Sequence, residues 1–152
     1  MSKSTKTPNG IKEITAIFGD ASRADFEAKN IVSFDLPYPL LYDGKPVTRA
    51  RCHELLVENF IQAFAAIKAA GLENECKNYG GIFAKRNIRG LSHPSTHSWG
   101  IAIDLESAKY PLGSSKRFPQ GVIDAFKNAG FMYGGDFKGR KDPMHFQFAT
   151  GY

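Results

Sequence analysis

A chain of 152 residues can bury one sizeable core and falls short of the usual length for two, so a single domain over 1–152 is expected. Hydrophobic residues at 42% and charged residues at 23% are ordinary globular proportions, and no apolar run approaches the roughly 18 to 20 residues that span a bilayer. The net charge of +5 favours an anionic partner, yet the basic clusters KRNIRG and FKGRK are short and lack a basic helical face, so no nucleic-acid partner is expected.

Residues 1–10 are polar, with Pro8 and Gly10, and read as a loose lead-in. Their basic residues have no apolar run behind them, so a secretory signal is not expected and synthesis is expected to be cytoplasmic. IVSFDL alternates, with Val32, Phe34 and Leu36 on one face, as a half-buried strand would. Asp43-Gly44 then predicts a hairpin turn, and Pro46 an edge strand. From Thr48 to Ala70 a long helix is expected: Leu56, Phe60, Phe64 and Ile67 recur at helical spacing, Thr48 is placed to cap the start, and Gly71 to close the end. GGIFAKRNIRG is a short strand or loop. WGIAIDL alternates again, setting Ile101, Ile103 and Leu105 against Gly100, Ala102 and Asp104. A second helix is expected from Pro119 through Val122, Ile123 and Phe126 to Gly130. In MHFQFA, Met144, Phe146 and Phe148 face one way, His145 and Gln147 the other. The order predicts an α+β domain, with helices packed on a mainly antiparallel sheet. Cys52 and Cys76 have no C-x-x-C spacing and are expected as reduced, partly buried thiols.

Several common catalytic arrangements are absent: there is no G-x-S-x-G elbow, S-x-x-K pair, phosphate-binding Gly loop or G-x-G-x-x-G. His53-Glu54 opens like a helical zinc motif, but Val57 stands where the second histidine belongs, so His53 is read as a polar residue on the long helix. What remains is His97, Asp104 and His145, with Asp142 close by. Two neutral imidazoles and one carboxylate suit zinc, since three protein ligands leave a fourth position open. Seven fully extended steps from His97 to Asp104 would span about 23 Å, too far for one ion, so the segment must double back. Ser98-Trp99-Gly100 is where it can, because glycine accepts backbone angles that other residues resist. Asp142-Pro143 favours a turn that brings the carboxylate beside such a site as general base. His93 is a rival ligand, but it lacks the context of His97, and Pro94 opposes a helix that would align the two. The pattern Ser95-x-His97-x-x-Gly100-x-Ala102-x-Asp104 would arise by chance in on the order of one in ten thousand chains or fewer.

On STHSWGIAID and DPMHF, with support from YGGIFAKRNIRG and FKNAGFMYGGDF, the chain resembles the zinc D-alanyl-D-alanine carboxypeptidases and dipeptidases and the phage L-alanyl-D-glutamate endolysins. The resemblance runs from Tyr79 to Phe148. It implies a small α+β domain with a zinc cleft over an antiparallel sheet, His97, Asp104 and His145 as zinc ligands, and Asp142 as the base. It also implies an upstream arginine that stabilises the oxyanion, for which Arg86 is chosen with Arg89 in reserve. Ser95 matches a substrate-contacting position, and a hydroxyl that braces the loop is an equal reading; Trp99 is read as packing. Asp142 stands where the dipeptidase branch has glutamate, which leans towards the endolysin branch, and Tyr133 stands where relatives often have tryptophan. The implied activity is zinc-dependent hydrolysis of peptidoglycan stem peptides by a monomeric, bacteriolytic enzyme that reaches the wall through a separate pore. The alternatives are a cytosolic D-alanyl-D-alanine dipeptidase or carboxypeptidase and a non-catalytic module that zinc stabilises.

Overall fold

Asp43 and Gly44 both have positive φ, 52° and 75°, the backbone of a two-residue hairpin turn whose twist matches its strands. They join β1 (Ile31–Tyr42) to β2 (Lys45–His53) in a computed structural model that describes residues 5–152. The two strands pair from Tyr42 opposite Lys45 to Ile31 opposite His53, and the register shifts between Asp35 and Leu40, where Pro37 and Pro39 have no N–H to give. β2 pairs only with β1, the edge position that Pro46 predicts.

The long helix expected from Thr48 begins later. Thr48 to His53 belong to β2, a short 3-10 turn covers Glu54–Leu56, and α3 spans Val57–Ala69 after two short helices, α1 (Gly10–Phe18) and α2 (Phe26–Asn30). Ala50 and Cys52 are buried while Arg49 and Arg51 are exposed, so this stretch alternates once it lies in register with β1, and pairing overrides any helical tendency. His53 is therefore the last residue of β2 rather than part of a helix. It is buried; its Nδ1 accepts from the Leu55 N–H and its Nε2 donates to the Phe18 carbonyl.

Beyond α3 the chain forms β3 (Tyr79–Gly81), β4 (Ala102–Leu105), α4 (Gln120–Asn128), β5 (Met132–Tyr133) and β6 (His145–Gln147). The sheet order is β3-β4-β6-β5, with every neighbouring pair antiparallel. α3 buries Phe60, Ala63, Phe64 and Ile67, α4 buries Val122, Ile123, Ala125 and Phe126, and the two helices pack together. Phe126 stacks on Phe146 of β6 at 4.2 Å between ring centres, which fixes the helices on one face of the sheet. The architecture is α+β, as the pattern predicts. Alternation along β4 and β6 then turns Asp104, His145 and Gln147 to the opposite face, away from the aromatic layer.

Of the expected loose lead-in, residues 1–4 lie outside the described residues, and 5–10 are tied down. Thr5 donates to the Leu55 carbonyl, Thr7 to the Gly130 carbonyl, and the Gly10 N–H to the Thr150 carbonyl. A polar string carries no periodicity that reveals partners 123 positions away, as Thr7 has. Among the described residues no helix is long and apolar enough to cross a membrane.

Candidate metal centre

His97 lies in a 3-10 turn over Thr96–Trp99, and the Ser95 hydroxyl at its start accepts the His97 N–H at 3.2 Å. Gly100 ends the turn with φ of 72° and sends the chain into β4. A Cβ at Gly100 would lie 2.7 Å from Ile31 Cδ1 and 2.8 Å from the backbone nitrogen of His53, so only glycine fits both the angle and the space. Asp104 then stands directly opposite His145 across the β4–β6 pair. A turn through Pro143, closed by the His145 N–H donating to the Asp142 carbonyl at 3.0 Å, brings Asp142 to the same place.

The result is a tight cluster. His97 Nε2 is 3.2 Å from Asp104 Oδ2, and His145 Nδ1 is 3.0 Å from Asp104 Oδ1. One ligand atom from each of the three side chains lies within 4.8 Å of the others. His97 donates through Nδ1 to the Ile82 carbonyl at 2.7 Å, which leaves Nε2 bare; that atom is buried and has no hydrogen-bond partner. A buried, unpaired nitrogen is costly unless something else takes its lone pair. Two nitrogens and one carboxylate oxygen, one nitrogen already orphaned, fit a divalent ion such as zinc better than an oxygen-preferring cation.

Burial and the neighbouring imidazoles set the two carboxyls of the cluster apart. Burial alone would raise Asp104, but its interactions with His145 and His97 more than reverse this and hold it below the usual carboxylate range. Asp142 is raised, first by burial, with opposing help from His145, and its Oδ1 is buried without a partner. Asp142 Oδ2 is 3.9 Å from His145 Nδ1, near the cluster but outside its tightest circle. Arg86 closes the arrangement with Nη2 at 3.7 Å from Asp104 Oδ2, and its own carbonyl accepts from the Ser98 hydroxyl and the Ser95 N–H.

Residues 89–148 match a family model described as D-alanyl-D-alanine carboxypeptidase. No curated protein and no solved structure matches the chain. The span similar to the carboxypeptidase family holds His97, Asp104, Asp142 and His145, whereas Arg86 precedes it.

The cluster forms the floor of a cavity of about 270 Å³. Leu91, Leu112, Phe137 and Met144 supply apolar wall, and Arg86, Arg89 and Arg140 supply the positive charge. Five of the chain's seven arginines, Arg23, Arg49, Arg51, Arg86 and Arg117, have a carboxylate within ion-pair distance. Arg89 and Arg140 have none among the described residues, and both line this cavity. Arg140 Nη2 donates to the Arg89 carbonyl at 2.7 Å, holding the two loops side by side.

The other sequence candidates fall as follows. Ser95 lines the cavity, and its hydroxyl braces the turn by accepting the His97 N–H. His93 is exposed and apart from the cluster. Trp99 is buried and donates to the Gly19 carbonyl, a packing position. Tyr133 is buried between Phe146 and the Arg117 guanidinium rather than in the cavity. Cys52 and Cys76 are both free and fully buried, and burial pushes the Cys76 thiol up to about 12. Sequence reasoning missed the Ile82 carbonyl and Thr96, and gave Gln147 no role, although alternation placed Gln147 on the face of His145. A backbone carbonyl leaves no signal in a sequence.

Proposed function

We propose that the protein is a zinc-dependent peptidase that hydrolyses amide bonds in the stem peptides of bacterial peptidoglycan. The observation that carries this reading is the bare, buried Nε2 of His97, which shares a cavity floor with the Asp104 carboxylate and His145 Nδ1. The match of residues 89–148 to the D-alanyl-D-alanine carboxypeptidase family supports the substrate class. His97, Asp104 and His145 would hold the zinc, leaving one face open to the cavity. A zinc ion there supplies Lewis acidity, polarising the amide carbonyl and acidifying the attacking water.

Asp142 is the general base. Its carboxylate takes the proton from the attacking water and delivers it to the leaving amine, a role helped by burial that raises its affinity for that proton. Arg86 faces the developing oxyanion, held in place by the bonds its carbonyl accepts from Ser95 and Ser98. Arg89 and Arg140, without carboxylates of their own, receive a substrate carboxylate, which a guanidinium fork can bind through two parallel hydrogen bonds. Leu91, Leu112, Phe137 and Met144 give the apolar part of the cavity wall against which the substrate would pack.

Two bonds fit this site. In the endopeptidase reading the L-alanyl-D-glutamate bond is cut, as in phage endolysins, and the aspartate at position 142 favours it. In the carboxypeptidase reading the terminal D-alanine is released, which the description of the matched family favours. Each substrate offers a free carboxylate one residue beyond the scissile bond, so Arg89 and Arg140 serve either. Purified peptidoglycan digested with zinc, with chelator, and with chelator followed by zinc separates the two by mass spectrometry of the products. A new amino group on D-glutamate identifies the endopeptidase, and free D-alanine the carboxypeptidase. Intact peptidoglycan in all three arms, or digestion indifferent to chelator, would sink the proposal.

A further inference from the structure

We propose that Gln147 is a positioning residue that presents Nδ1 of His145 to the metal by holding the proton on the ring's other nitrogen. The inference rests on the zinc reading above and concerns how this chain prepares one of the ligands.

Gln147 is 4% exposed, so its amide must find all its partners inside the protein. Its Nε2 donates to the carbonyls of Ala149 and Tyr152 at 3.3 and 3.2 Å. The reversed amide would set its oxygen against both of those carbonyl oxygens, so only one orientation is satisfied. In that orientation Oε1 faces inwards, accepting the Thr96 hydroxyl at 3.1 Å and lying 2.8 Å from His145 Nε2. A carbonyl oxygen can only accept, so His145 Nε2 must carry the hydrogen. Nδ1 then faces Asp104 Oδ1 at 3.0 Å, on the side of the ring where the cluster would hold a metal. His97 is prepared the opposite way: its Nδ1 is tied to the Ile82 carbonyl and its Nε2 is left bare. The two rings thus present different nitrogens to the same point, and each choice is set by the acceptor behind the ring.

The anchor also reaches the loop that carries the first histidine. Tyr152, whose carbonyl accepts from Gln147, bonds through its hydroxyl to the Pro94 carbonyl and sets its ring edge-on to Trp99. Gln147 therefore joins β6 to the turn over Thr96–Trp99 from behind the cluster.

The test loads the full chain with zinc and follows the ring protons of His145 by NMR, alongside zinc affinity measured by competition with a chromophoric chelator. In the native protein His145 is expected to show a protected Nε2–H and zinc on Nδ1. Gln147→Leu keeps the volume and loses the acceptor, so zinc affinity should fall roughly 10- to 100-fold and the Nε2–H should exchange faster. Gln147→Glu keeps an acceptor towards Nε2 but sets oxygen against two carbonyls, so it should bind zinc better than Gln147→Leu while unfolding at lower temperature. That crossing of affinity and stability separates positioning from a structural role, which would move both together. Zinc on Nε2 of His145, or affinity that simply tracks stability through both variants, would overturn the inference while leaving the zinc reading intact. A native chain that takes up no zinc would remove both.

Discussion

Substituting Gly100 by alanine tests the step that makes the site possible, the return of the chain between His97 and Asp104. Gly71, which follows α3, supplies the control: its φ is 71° against 72° at Gly100, but a Cβ there meets nothing within 4 Å. The left-handed backbone should therefore cost both variants about 1–2 kcal/mol. At Gly100 the new methyl also meets Ile31 Cδ1 at 2.7 Å and the His53 nitrogen at 2.8 Å. The isoleucine tip can swing away, but the His53 nitrogen is strand backbone whose N–H donates to the Gly100 carbonyl at 2.9 Å. Overpacking of this kind adds about 1–3 kcal/mol, so Gly100→Ala should lose about 2–5 kcal/mol in all. Urea unfolding at matched zinc gives both values, with an unchanged slope confirming that the midpoint shift is one of stability. Zinc affinity should also fall in Gly100→Ala and not in Gly71→Ala, since only the first displaces the turn that carries His97. Equal losses at the two positions, within about 0.5 kcal/mol, would refute the idea that close approach to β2 fixes the turn.

Asp142→Ala should keep its zinc by elemental analysis and lose about 10²- to 10⁴-fold in turnover of peptidoglycan peptides; a fully active variant would remove Asp142 from the base role. Arg140→Gln should raise KM roughly tenfold or more for a peptide with a free carboxylate beyond the cut, consistent with about 1.5–3 kcal/mol for a charged hydrogen bond, and leave an amidated analogue unaffected. Equal effects on both peptides would show that Arg140 does not read the carboxylate. His53 is held neutral, its affinity for a proton lowered chiefly by burial and only partly restored by its bond to Phe18. The unfolded chain therefore binds the proton first, and stability should fall as pH drops below about 6.5, with a slope of up to about 1.4 kcal/mol per pH unit. His53→Asn can still accept the Leu55 N–H but has no such proton to take up, so its unfolding midpoint should depend less on pH between 5 and 7. An unchanged dependence would assign the acid sensitivity to other groups.

Local chemistry made much of this protein legible in its sequence. Asp43-Gly44 forms its turn because both residues tolerate positive φ, and α4 follows the apolar spacing of Val122, Ile123 and Phe126. The His97, Asp104 and His145 set stood out because few other functional arrangements remained, and Gly100 marked where the chain had to reverse. Other features depended on which distant groups share a space. Thr48 to His53 became strand because β1 offered a paired edge, a fact absent from the stretch itself. Residues 5–10 and His53 gained their hydrogen bonds from partners elsewhere in the fold. The lack of a carboxylate partner for Arg89 and Arg140 among the described residues, and the single orientation open to Gln147, likewise follow from positions in space. Turn angles and periodicity act between neighbours and are written along the chain, whereas pairing, burial and hydrogen-bond satisfaction are settled only when segments such as β4 and β6 meet.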